Sequence, residues 1–237
     1  MNEISWQKLW NERGIAIARA FGQPTPPSLV HSFDFGKRIL PGACGLYFPA
    51  ADASRAPTYI TMGPSQVADT VEECERIELC VHAAAGQFWP YLILHDLLTQ
   101  WVYDRSSVRV GSVFPFVMFR SGNGEMTVAI GHPTNNIERI GVLEWMLLWP
   151  DSEVPSITVR ETAISVLAAT PITNDEKNLA SIATVAHLML ALKLTGVLRQ
   201  TEVLRRSMCE DPRWTDIWHH ILELEPEECE RRFNDGH

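Results

Sequence analysis

Two apolar runs set the strongest limit on how this chain can fold. Val142 to Trp149 is almost continuously apolar and stops at Pro150, and Ile164 to Thr170 is a second run of the same kind. Strands covered on both faces read this way, because neither face alternates with polar residues. Both are therefore expected to be central strands of one sheet, and everything else must supply layers to cover them.

Thr173-Asn174-Asp175-Glu176 follows the second run directly and fits a capping box. In that arrangement the Thr173 hydroxyl accepts from the Glu176 amide and the Glu176 side chain accepts from the Thr173 amide. A helix is expected from there to about Arg199, with a stripe of Leu179, Ile182, Ala183, Ala186, Met189, Leu190 and Leu194. Such a stripe is core packing, and neither its methionine nor His187 is read as a cofactor box. Upstream, Trp6, Leu9, Trp10, Ile17 and Phe21 recur at helical spacing with one longer step, predicting an amphipathic helix over 5–21. Pro24, Pro26 and Pro27 should end it and make 23–28 a connector.

Strand character appears at Val30 to Phe35, Thr58 to Met62 and Ile77 to His82. The last alternates Ile77, Leu79 and Val81 against Glu78, Cys80 and His82, as a half-buried strand would. Phe88 to Tyr103 reads as a helix if Pro90 lies in its first turn. Val108 to Phe119 and Met126 to Ile130 form a hairpin around Ser121-Gly122-Asn123-Gly124. Short helices are expected at Trp214 to Leu222 and Pro226 to Phe233. The fold class is thus α/β (α+β): a mixed, largely antiparallel sheet flanked by helices, with a helical C-terminal tail. The domain spans 1–204 with its core at about 57–200, and 205–237 is a helical extension.

Charge and motif content exclude several functions. A formal net charge of −9 over 237 residues lacks the basic surface that nucleic-acid binding needs. Cys44, Cys74, Cys80, Cys209 and Cys229 contain no CxxC pair, so neither a disulfide framework nor a zinc site is signalled. The start has no signal-peptide pattern and no apolar run spans a membrane, so a cytoplasmic protein is expected. Gly131-His132-Pro133 is turn chemistry, the glycines lack a phosphate-cradling pattern, and His219-His220 are adjacent where a zinc helix needs i, i+4. No nucleophile elbow is present. No cofactor, metal or catalytic residue is assigned.

Binding residues are sought instead in charge and tryptophan. Glu72, Glu73 and Glu75, then Asp151 and Glu153, then Glu223, Glu225, Glu227 and Glu228 make an acidic surface suited to a basic partner. Trp214 and Trp218 lie in the charged tail, and tryptophan anchors interfaces more often than most residues. The alternative reading is an enzyme or small-ligand-binding protein with a pocket near His82, His95 or His132.

Four segments in order carry a family resemblance: Thr61-Met62-Gly63-Pro64-Ser65 after a strand, Arg76-Ile77-Glu78-Leu79, the apolar strand closing on Pro150, and Pro171-Ile172-Thr173 leading into Asn174-Asp175-Glu176. Together they resemble the Suppressor of fused domain family, over roughly Pro57 to Leu194. One departure is Gly111-Ser112-Val113, where relatives often carry Gly-His-Thr. The resemblance implies a mixed α/β fold and a non-enzymatic, protein-binding role. It also implies likeness to bacterial immunity or regulatory proteins, whose partner would be a basic toxin encoded nearby.

Overall fold

A computed structural model describes residues 3–22, 25–30, 33–34, 39–40, 44–48, 57–63, 76–83, 87, 89–103, 108–120, 126–130, 141, 143–151, 154, 157–199 and 205–235. It is a mixed α/β structure that divides into two compact units, 1–109 with 153–168 and 110–152 with 169–237. The hairpin turn at 121–124 lies outside the described residues.

In the first unit, α1 (Glu3–Phe21) precedes the strands β1 (Thr25–Val30), β4 (Cys44–Phe48), β5 (Thr58–Met62) and β6 (Ile77–His82), which run side by side in that order. β2 (Phe33–Asp34) and β3 (Ile39–Leu40) form a separate small ribbon. Pairing is antiparallel from β1 to β6. β10 (Ile157–Val159) turns back into β11 (Thr162–Thr173), whose first half pairs with β6 in parallel, Ser165 opposite Ile77. α2 (Trp89–Tyr103) packs over β4, β5 and β6, with Tyr91 edge-on to Tyr59 at 4.9 Å.

Three expectations are corrected here. The proline segment at 23–28 is not a plain connector: Thr25–Val30 is a strand. It sits at the sheet edge, and its register against β4 shifts between Thr25 and Leu29, so the missing amides of Pro26 and Pro27 cost little there. β6 is not half-buried, since Ile77 to Val81 are all buried. Glu78 is tolerated inside because its carboxylate accepts from Thr61 Oγ1 at 2.6 Å and from the Gly63 amide at 3.1 Å, while Thr61 Oγ1 accepts from the Leu79 amide at 2.9 Å. Finally, Leu9, Arg13 and Ile17 share the inward face of α1; the longer step in its apolar stripe is filled by a buried arginine.

In the second unit, β7 (Val113–Arg120) and β8 (Met126–Ile130) form the expected antiparallel hairpin, and β9 (Leu143–Pro150) lies between β7 and β11. β7 starts later than Val108 because Gly111 turns the chain with φ +79°, and a Cβ there would sit 2.9 Å from Val185 Cγ1. Glycine is thus required in the segment that departs from the family pattern. The helix expected from Thr173 to Arg199 is two: α3 (Asn174–Ile182) and α4 (Val185–Leu194). The backbone breaks at Ala183, and Thr184 caps the new start by accepting from the His187 amide. Ile182 at the end of α3 is 70% exposed and Leu194 at the end of α4 is 44% exposed, both expected in the core, since the broken helix no longer presents one continuous stripe.

The capping box forms as read, and Glu176 does more than close it. Its side chain is fully buried and accepts from the amides of Thr173 at 2.9 Å and Met208 at 2.6 Å. It also accepts both Nη groups of Arg205 at 2.7 Å. Arg205 in turn donates to the carbonyls of Pro171 and Arg206.

A bidentate, buried pair strands a charge when one partner is neutralised. Glu176→Gln should therefore lower unfolding free energy by about 3–5 kcal/mol, read as a shifted denaturant midpoint. Gly111→Ala should cost about 1–2 kcal/mol from its left-handed backbone alone, plus the Val185 contact, in the same assay.

Candidate protein-interaction surface

The tail is fastened to α4 by polar contacts at both ends. His187 Nε2 donates to the Leu224 carbonyl at 3.0 Å while its Nδ1 contacts Thr184 Oγ1 at 2.6 Å. Lys193 Nζ donates to the Phe233 carbonyl and caps the last turn of α6 (Pro226–Asn234). Phe233 packs edge-on against Trp149, and the Trp149 indole donates to Thr170 Oγ1 at 2.8 Å.

This anchoring orients α5 (Trp214–Leu222). Ile221 is its buried residue. Trp214 and Trp218, at i and i+4, lie on the same side of the helix as Ile221, which is i+7 from Trp214, and Leu222 follows at the edge of that side. The two indoles stack with centroids 5.2 Å apart and planes 20° from parallel; both are half-buried, and Leu222 is 42% exposed. The helix then runs into exposed Glu223, Glu225 and Glu227. Those three acidic residues follow directly in the chain after the helix that carries both tryptophans. Sequence reasoning missed Leu222, although its spacing from Trp218 was visible.

The other acidic candidates fare differently. Asp151 is corrected: it is buried and bound by Arg199 at 2.6 Å, so it belongs to the interior. Glu228 is held by Arg231 and Arg232, whose hydrogen bonds depress its carboxyl to about 2, the larger part from Arg231. Glu72, Glu73, Glu75 and Glu153 lie outside the described residues.

The histidine pocket is not assembled among the described residues. His82 Nδ1 lies 3.1 Å from Thr58 Oγ1 across the β5–β6 pair, His95 sits beside Asp96 at 3.4 Å, and His132 is outside the described residues. A cavity in the first unit is lined by Leu9, Arg13, Arg76, Val159, Arg160, Thr162 and Ile164, and by no histidine. No group of three His, Cys, Asp or Glu side chains among the described residues is placed to hold a metal ion. Burial raises the thiol pKa of both Cys209 and Cys229, away from a reactive thiolate. Among the described residues no helix is long and apolar enough to cross a membrane.

The chain is a mixed α/β structure whose tail helices are anchored on α4. Its fold is that of Suppressor of fused. A Suppressor of fused homologue from Neisseria gonorrhoeae is 12% identical with a TM-score of 0.58, over 85% of this chain and 97% of its own. The structure of a Sufu–Fu complex matches at 14% identity and TM-score 0.54, over 93% and 97%. Drosophila Suppressor of Fused matches at 16% and 0.53, over 91% of this chain and 53% of its own, so this chain spans about half of the fly protein. No family model matches, and no curated protein does. The likeness read from the four motifs holds at the level of the fold.

The Glu228 clamp predicts a pH dependence. A carboxyl lowered on folding from 4.5 to about 2 contributes stability that is present above 4.5 and is lost as pH falls toward 2. Wild type and Glu228→Gln should thus differ in thermal midpoint at neutral pH and converge as pH falls through that window.

Proposed function

We propose that this chain is a non-catalytic, cytoplasmic protein-binding domain, a bacterial immunity or regulatory protein that sequesters a basic partner such as a toxin encoded nearby. The observation that carries this reading is the partly exposed Trp214–Trp218 stack on α5, with exposed Leu222 beside it. Rigid aromatic side chains supply large apolar area at low entropic cost, and half-desolvated tryptophans are typical anchors. Exposed Glu223, Glu225 and Glu227 beside them would form an acidic rim, and the net charge of −9 speeds encounter with a cationic protein. Glu72, Glu73, Glu75 and Glu153 stay as further contacts on charge alone. Support for a protein partner also comes from the Sufu–Fu complex, whose subunit shares this fold.

A tagged chain should retain one basic protein from lysate of its own cells, near stoichiometric amounts, and lose it progressively with salt. Trp214→Ala with Trp218→Ala should abolish capture at a temperature where circular dichroism shows the double variant still folded, although its denaturation midpoint falls with the lost indole packing. Capture that survives the double substitution would move the interface elsewhere; no retained protein at any salt would overturn the reading.

A further inference from the structure

Five large apolar side chains are exposed among the described residues: Ile15, Val110, Ile182, Leu194 and Leu222. Single exposed apolar residues are ordinary, so only a convergence of them points to a binding surface. Val110, Ile182 and Leu222, at 51%, 70% and 42% exposure, belong to one place in the second unit. There the break between α3 and α4, the bend between α5 and α6 and the turn that leads into β7 come together.

Two contacts hold these corners to each other. Gly111 turns the chain at φ +79° so near to α4 that a Cβ on it would lie 2.9 Å from Val185 Cγ1, which seats Val110 beside the first turn of α4. His187, in that same turn, meets Thr184 Oγ1 at 2.6 Å with Nδ1 and the Leu224 carbonyl at 3.0 Å with Nε2, so one imidazole separates the α3–α4 break from the α5–α6 bend. Ile182 stands two residues before Thr184, and Leu222 two residues before Leu224. Val185 and Leu224 are themselves half-buried and extend the apolar area.

The charge beside this area selects its occupant. Glu223 and Glu225 flank Leu224 in the chain and are exposed, whereas Arg109, before Val110, is the one exposed cation next in sequence to these residues. With a net charge of −9 on the whole chain, that border disfavours a second copy and favours a cationic surface. We propose that this corner receives the apolar face of a basic amphipathic helix of the partner protein, with Val110, Ile182 and Leu222 as its contacts. Such a helix sets apolar side chains about 5–6 Å apart along one face, and its lysines or arginines then border the carboxylates. The inference rests on the protein-binding reading and extends that surface from the Trp214–Trp218 stack, through Leu222, to the α3–α4 break.

The test is calorimetric titration of the full chain with a synthetic amphipathic peptide of leucine and lysine. Two peptides of the same length run in parallel, one with serine for leucine and one with glutamate for lysine. The leucine–lysine peptide should bind saturably at one site and weaken with salt, and neither control should match it. Equal binding by the serine–lysine peptide would show attraction by charge alone, and equal binding by the leucine–glutamate peptide would show that cations are not selected. Either result would overturn the proposal, as would no saturable binding of the leucine–lysine peptide.

The decisive variant is Val110→Ser with Ile182→Ser. Both side chains are exposed, so the denaturation midpoint should stay close to wild type while peptide affinity falls about fivefold or more. Ile182→Lys alone, at the most exposed of the three, should weaken binding about as much through like charge. Unchanged affinity in these variants would overturn the inference. If the same peptide were then lost by Trp214→Ala with Trp218→Ala, the protein-binding reading would stand on the stack without this corner.

Discussion

A carboxylate removed from water must find its compensation inside the protein, and Glu176 finds it in four hydrogen bonds. Two come from backbone amides on either side of it in the chain, Thr173 at the end of β11 and Met208 in the tail. Two come from a single guanidinium, Arg205. That one cluster therefore ends a central strand, starts a helix and ties down the chain that leads to α5. The position of the Trp214–Trp218 stack depends on it, because α5 begins only a few residues beyond Met208. The cost of dehydrating such a pair is large, so it stabilises the fold only while every partner is present.

The first unit has its own buried carboxylate, Glu78, and this one explains two motifs that look unrelated in the sequence. Thr61 belongs to β5, Gly63 to the turn after it and Glu78 to β6; the hydroxyl and the amide both donate to the Glu78 carboxylate. The strand β6 can be buried on both faces because its one acidic residue is satisfied by its neighbour strand. Glu78 looked like a solvent-facing residue because alternation cannot distinguish a wet face from a satisfied polar contact inside a sheet.

Legibility followed the range of the interactions. Strands at Thr58–Met62 and Ile77–His82, the first turn holding Pro90, the capping box and both tail helices rest on local pattern and were readable. The break at Ala183 was not, since the 174–194 segment keeps an apolar stripe through it and only the packing of α4 reveals the turn. Arg13 announced itself faintly, as the missing member of the α1 stripe. Of the binding residues, the tryptophans could be picked from the charged tail, whereas Asp151 was misjudged because the Arg199 that buries it lies far along the chain.

The sequence by itself determined the type of most elements, the order of the motifs and the acidic balance, because periodicity, capping and net charge act over a few residues or over the whole composition. The tertiary structure decided which charges face solvent and which convergences exist. Arg13, Arg76 and Arg160 line one cavity only because a helix, the residue before a strand and a hairpin turn are brought together, and the partial exposure of the stacked Trp214 and Trp218 is set by how Ile221 and the α4 contacts seat their helix. Such juxtapositions depend on long-range packing, to which no local pattern in the chain is sensitive.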